Sequence, residues 1–324
     1  MNRLIVILTT ILMLASCNKQ EAMLSDPKEE ARRDSAALHV AVYPSEACLP
    51  LYFADATGIF DSLGVDIRLL CLPSMEDCDT VLLHHRAEVA STDYGRIVDL
   101  RRLNCRATAI ATQPTSLSLI TAKGKRITQV KQLRDRLVCI DRHSESDRRC
   151  DQQVAAAGID QLDVFRTQFN RHRLRHDMLL GGLVDAAFLD RPYSTHAQTM
   201  GNNCIWQRTD AQQSWTVLAA PLTLFSDSSR MKQVRRLIAG CQIAIEQINK
   251  GEKRHQLMST IKKHYELPHA AVDTIAELTP AHLFPLTPPV ATQAEEARQW
   301  LVDRKWITSS LNTDSLTTPL FFEK

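Results

Sequence analysis

Acidic, hydroxyl and aromatic side chains recur in this chain just beyond short apolar runs. Tyr43, Ser45 and Glu46 follow Leu38–Tyr43 (LHVAVY). Thr92, Asp93 and Tyr94 follow Val89–Ser91, and Thr112 and Gln113 follow Arg106–Ala111. Further along, His143, Ser144, Glu145 and Ser146 follow Leu137–Asp141, and Asp190 and Tyr193 follow Ala186–Leu189. If these runs are strands of parallel sheets, the loops at their carboxyl ends are where a small molecule binds. The residue types suit recognition: carboxylates accept from amines, and tyrosine rings offer flat apolar faces. The helix start near Ser144 favours an anion, but Glu145 and Asp147 stand beside it, and Glu46, Asp93 and Asp190 add more negative charge. A plain sulfonate or nitrate would be repelled unless Arg142 or Arg191 turned inward. The expected ligand is therefore an amine-bearing flat ring, an aminopyrimidine or similar nitrogen heterocycle. Each residue also has a structural role open to it. Ser144, Ser146 and Asp93 are good helix N-caps, Asp190 can fix the turn before Pro192, and Tyr43 can simply pack.

Patterns for catalysis are missing. The chain has no G-x-S-x-G, H-E-x-x-H or P-loop spacing, and no Cys and His pair with supporting context. No C-x-x-C occurs and His84-His85 lacks a partner at metal-ligand spacing, so neither a metal nor a cofactor is expected. With 39 Lys and Arg against 37 Asp and Glu, the net charge of +2 argues against a nucleic-acid partner. The basic stretches Arg171–Arg175 and Arg134–Arg136 read as solvated helix faces.

The elements that would carry these residues are legible from periodicity. An apolar run from Leu4 to Ala15, too short to span a bilayer, follows Asn2 and Arg3 and reads as a signal peptide. It ends in Leu14-Ala15-Ser16-Cys17, which resembles the bacterial lipobox, with Cys17 as the lipidated mature terminus. Polar residues then form a flexible tether. Eight further cysteines follow Cys17. Cys71 with Cys78 and Cys139 with Cys150 are the nearest pairs for an oxidising compartment, while buried thiols are the alternative, favoured for Cys139 and Cys241. From Leu38 onward strands and helices alternate, and the pattern restarts near Val130, which implies two sheets covered on both faces. Trp215–Phe225 is a β-rich run read as the return crossing. Beyond it, Val234, Leu237, Ile238, Cys241, Ile245 and Ile248 lie on one helical face, and Leu257–His264 and Ala294–Arg304 continue the helical cover.

Several segments, in order, resemble the type II periplasmic substrate-binding proteins of ABC importers, the group of thiamine-precursor, alkanesulfonate and nitrate binders. They are Leu49-Pro50-Leu51-Tyr52-Phe53-Ala54, Gly58-Ile59-Phe60, Leu63-Gly64-Val65, Leu179–Ala187 (LLGGLVDAA) and Asp190-Arg191-Pro192-Tyr193, then Phe284-Pro285-Leu286 with Trp300-Leu301 and Trp306-Ile307. Glu88 departs from that pattern where an Asp is usual, and Arg191 interrupts its Glu-Pro pair; both are expected near the cleft. The resemblance implies an α/β fold of two Rossmann-like lobes with mixed, mostly parallel sheets joined by a two-strand hinge. The expected divisions are 1–16 signal peptide, 17–37 tether, 38–121 plus 218–324 first lobe and 122–217 second lobe, with crossings near Thr121–Gly124 and Trp215–Leu218. It also implies a non-enzymatic monomer that is lipid-anchored in the periplasm or cell envelope of a bacterium, binds a small molecule and meets permease and ATPase subunits. A sensing accessory lipoprotein is the alternative. An enzyme akin to pyrimidine synthases is a more distant one, because the close cysteine cluster of that group is absent.

Overall fold

The computed structural model describes residues 34–268 and 282–322. The chain divides into two units, Met1–Ala37 and Leu38–Lys324. The expected signal segment, Cys17 and most of the tether lie outside the described residues.

Two five-stranded sheets form the second unit. The first contains β1 (Leu38–Val42), β2 (Ile67–Cys71), β3 (Val89–Asp93), β4 (Ala107–Thr112) and, returning from far along the chain, β10 (Thr216–Pro221), in the order β2-β1-β3-β10-β4. The second contains β5 (Ser118–Thr121), β6 (Arg136–Ile140), β7 (Val164–Gln168), β8 (Ala186–Leu189) and β9 (Asn203–Gln207), in the order β7-β6-β8-β5-β9. In each sheet the central pairs run parallel and one strand, β10 or β5, runs antiparallel between two others. Both antiparallel strands carry a register shift, at Leu218/Ala219 and at Leu119/Ile120. The two lobes thus repeat one plan. Every residue of β3 and β4 is buried, as expected where helices cover both faces of a parallel sheet.

Helices fill the intervals: α1 (Leu49–Ala56), α2 (Ile59–Ser62), α3 (Met75–Leu83) and α4 (Tyr94–Arg102) in the first lobe, α5 (Glu145–Ala156), α6 (His172–Leu180) and α7 (Tyr193–Thr199) in the second. Gly58, at φ +70°, supplies the left-handed residue that separates α1 from α2. After β10 come α8 (Ser228–Asn249), α9 (Arg254–Tyr265) and α10 (Ala291–Asp303). The α8 stripe of Val234, Leu237, Cys241, Ala244, Ile245 and Ile248 is buried against the first lobe. A separate cluster around Leu119, Val138, Ile140, Val154 and Phe188 forms the core of the second.

The first crossing lies earlier than expected. Ser118–Thr121 pairs with β8 and β9 in the second sheet rather than closing the first, so the chain leaves the first lobe after Thr112 and crosses through 113–117. The apolar run at Leu117 resembles a continuation of the first sheet because strand periodicity carries no record of which sheet a strand joins. The return crossing is 208–215, with Thr216 already in the first sheet. Strand β9 and helix α7 have no counterpart among the elements expected from periodicity. The eight cysteines from Cys48 to Cys241 are all free thiols, six of them buried.

Helix α8 packs so closely on α2 that a Cβ at Gly240 would lie 2.6 Å from the Phe60 ring. Gly240→Ala should therefore lower stability by about 1–3 kcal/mol, measured by urea unfolding. Phe60→Leu in the same chain should recover part of that loss, a coupling that independent sites would not show.

Candidate functional site

The carboxyl ends of β1, β3, β6 and β8 converge between the sheets on a cavity of about 40 Å³. Of the residues singled out from sequence, Tyr43, Asp93, Ser144, Glu145, Ser146 and Asp190 line it. The others stand behind or beside it. Thr92 donates to Asp79 Oδ1 (2.6 Å), and Gln113 bridges Ala47 O and Ser91 Oγ at 2.9 Å each. The Tyr94 hydroxyl lies 3.2 Å from Thr112 Oγ1 and accepts from Val290 N (2.7 Å), while Thr112 Oγ1 also donates to Pro288 O (3.3 Å). Tyr193 donates to Tyr265 O (3.1 Å), and Tyr265 in turn donates to Ser45 O (2.6 Å). Glu46 is engaged by Arg191 and Ser116 and is not a lining residue. These side chains are withdrawn because their polar atoms, buried with them, bond to neighbours in the protein; Ser45, bonded through its carbonyl, keeps a buried hydroxyl without a partner.

Sequence reasoning passed over Asp141, His172, Arg175 and Arg208, which also line the cavity. Asp141 ends the β6 run and was within reach of the strand-end rule. His172 and Arg175 belong to the stretch read as a solvated face. They are instead 8% and 2% exposed, because α6 turns that side inward and Arg175 donates to Phe169 O (3.0 Å). Glu88, expected near the cleft, sits at the opposite rim ahead of β3, accepting from His39 N at 2.8 Å. Arg191 does turn inward, but onto Glu46.

Glu145, at the first turn of α5, ties the lobes together. Its backbone N–H donates to Asp93 Oδ2 (2.8 Å), Oε2 accepts from Trp215 N (2.9 Å), and Oε1 is met by Arg149 (3.3 Å) and Arg208. Arg208 also donates to Thr115 O, and Gln113 N donates to Thr216 O (2.8 Å), so the two crossings lie hydrogen-bonded side by side. Across the cavity, Glu46 N donates to Asp190 Oδ2 (2.8 Å), whose Oδ1 lies 2.9 Å from His172 Nδ1. A third bond between lobes runs from Arg96 Nη1 to Arg142 O (3.3 Å). Helix α10 packs on α4 of the first lobe yet donates from Trp300 Nε1 to Asp151 Oδ2 on α5 (2.7 Å), joined there by Arg304 (2.6 Å). Ser144 does cap α5, accepting from Ser146 N (3.2 Å), and Asp93 caps α4, accepting from Arg96 N (2.9 Å). Both caps line the cavity as well.

Burial pushes the Asp93 carboxyl up to about 8, against the hydrogen bonds from Arg96 N and Glu145 N that favour its ionised form. A folded value above the unfolded one means that folding takes up a proton there. That contribution is complete below about pH 4 and is lost as pH rises through about 8. Half-buried His143 and buried His176 are pushed down to about 4 by desolvation, so they act only below their ordinary range near 6.5. Between about pH 6.5 and 9 the stability of the protein should therefore fall, and Asp93→Asn should flatten that slope, read from thermal unfolding midpoints.

At Gly95 the lobes approach so closely that a Cβ would stand 2.2 Å from His143 O. Gly95→Ala should drive the lobes apart, raising the radius of gyration measured by X-ray scattering. The cost should be about 1–3 kcal/mol.

No family model matches the sequence, and no curated protein matches it. Solved structures do. The periplasmic aliphatic sulphonate binding protein SsuA from Escherichia coli superposes with a TM-score of 0.69 at 15% identity, over 87% of this chain and 92% of that one. The periplasmic nitrate-binding protein NrtA from Synechocystis PCC 6803 gives 0.68 at 10% identity, over 87% and 84%. A mutant of DSZB in complex with biphenyl-2-sulfinic acid gives 0.59 at 14% identity, over 87% and 97%. At such identities the likeness is one of architecture: this chain has the two-lobed α/β fold seen in periplasmic binding proteins.

Proposed function

We propose that this chain is the substrate-binding lipoprotein of an ABC importer, capturing a small polar organic solute between its lobes and delivering it to a membrane permease without altering it. The observation that carries this reading is the cavity itself. It is closed on one side by the strand ends of the first sheet and on the other by those of the second, and among the described residues the sheets are linked covalently through the crossings 113–117 and 208–215. A solute touching both rims would shift the lobes toward the closed arrangement by its difference in affinity for the two.

The acidic lining supports a solute with hydrogen-bond donors. The heterocycle form of that expectation loses support, since of Tyr43, Tyr94 and Tyr193 only Tyr43 reaches the cavity, and its ring meets His172 edge-on (5.4 Å, 83°). A non-enzymatic role is favoured by the lining too: Ser144 and Ser146 bond to the Asp141 backbone and to each other, and Ser116 donates to Glu46, whose carboxylate is already paired with Arg191. Lipidation of Cys17 would hold the protein near its permease and raise the effective concentration.

Native mass spectrometry of protein taken from its own host should show one unmodified solute per chain, and scattering should contract on adding it back. Protein carrying no solute, with scattering unchanged across a broad metabolite panel, would overturn the reading. Cys17→Ala should move the protein from the membrane to the soluble fraction.

A further inference from the structure

The polar atoms at the cavity that find no partner in the protein are of two opposite kinds. Asp141 is 2% exposed, and neither of its carboxylate oxygens receives a hydrogen bond. The cation beside it, Arg175 Nη1, stands 4.0 Å away and is directed to Phe169 O. The remaining lining carboxylates are committed: Asp93 to two backbone N–H groups, Glu145 to Trp215 N and two guanidiniums, Asp190 to Glu46 N and His172. On the donor side, the Nε atoms of Arg175 and Arg208, both residues at least nine-tenths buried, face no acceptor. Buried acceptors and donors left unpaired each cost free energy, and charged ones cost more.

From this we infer that the cavity takes a short amino-acid-like zwitterion, its ammonium on Asp141 and its oxyanion on the guanidinium Nε atoms of Arg175 and Arg208. The inference rests on the binding reading above and narrows it. A bare anion would leave Asp141 unpaired, and a bare cation would leave both Nε atoms so; a molecule with both ends satisfies the whole set. Asp141 and Arg175 already offset one another in charge, which favours a ligand of no net charge. Size points the same way. A cavity of about 40 Å³ holds roughly three water molecules, which suits a molecule as short as glycine, alanine or β-alanine.

Calorimetry on the full chain with those three amino acids, and with acetate, nitrate, methanesulfonate and methylammonium, tests this. At least one amino acid should bind, and acetate and methylammonium, each lacking one end, should bind at least roughly tenfold more weakly. Asp141→Asn and Arg175→Gln should each weaken binding by a similar factor, with unfolding midpoints confirming that the variants fold. The comparison of ligands on the unaltered protein decides the matter even if a variant does not fold. Absence of binding by every amino acid, equal binding of one-ended analogues, or an unchanged affinity in folded Asp141→Asn would overturn the inference. Retention of some other solute in the mass spectrum would then leave the importer reading standing, and retention of none would remove both.

Discussion

Much of this molecule depends on one buried carboxylate being fully engaged. Glu145 belongs to the second lobe, receives a backbone N–H from the return crossing, and is faced by Arg208 from that same crossing. Its own N–H reaches Asp93 of the first lobe. Taking such a charge out of water costs several kcal/mol, and only a near-complete set of partners offsets it. Removing one partner leaves an uncompensated charge, so the arrangement of lobes, crossings and helix α5 is held as a unit. Asp93 and Arg208 feel the same burial in their titration: the acid is pushed up and the guanidinium down.

The same logic extends around the interface. Polar contacts join the lobes at three further places: Glu46 with Asp190 and Arg191, Arg96 with Arg142, and Asp151 with Trp300 and Arg304. Apolar burial is shared as well: the larger cluster joins second-lobe residues such as Ile120, Cys139, Leu179, Leu189 and Tyr193 to the first lobe, and a smaller one lies within the second. Polar contacts are directional and lose most of their strength over an ångström or two. The polar part of the interface can part and re-form as a body, whereas the interdigitated apolar side chains resist. Gly95 belongs to this design, since the backbone of His143 occupies the space a side chain would need.

Within the cavity, hydrogen-bond accounting separates scaffold from candidate contacts. Tyr94, Thr112, Gln113 and Tyr193 spend their polar atoms on the protein, as buried groups must. The atoms left over, on Asp141, Arg175 and Arg208, are those a solute would complete.

By itself the sequence determined the lobes' construction. Alternating apolar runs and helical stripes located β1, β3, β6, β8 and the long cover helix α8, because strand and helix periodicity are local properties of which side a residue faces. The strand-end rule likewise picked out six residues that line the cavity, Tyr43, Asp93, Ser144, Glu145, Ser146 and Asp190, since position after a strand is also local. Tertiary structure alone decided the rest. Whether Ser118–Thr121 joined the first sheet or the second depended on pairing with Phe188 and Trp206, far along the chain. Whether Arg175 faced water or the cavity depended on the angle at which α6 lies on its sheet. Which carboxylate was left without a partner depended on every neighbour at once, and spacing along a chain does not record that sum.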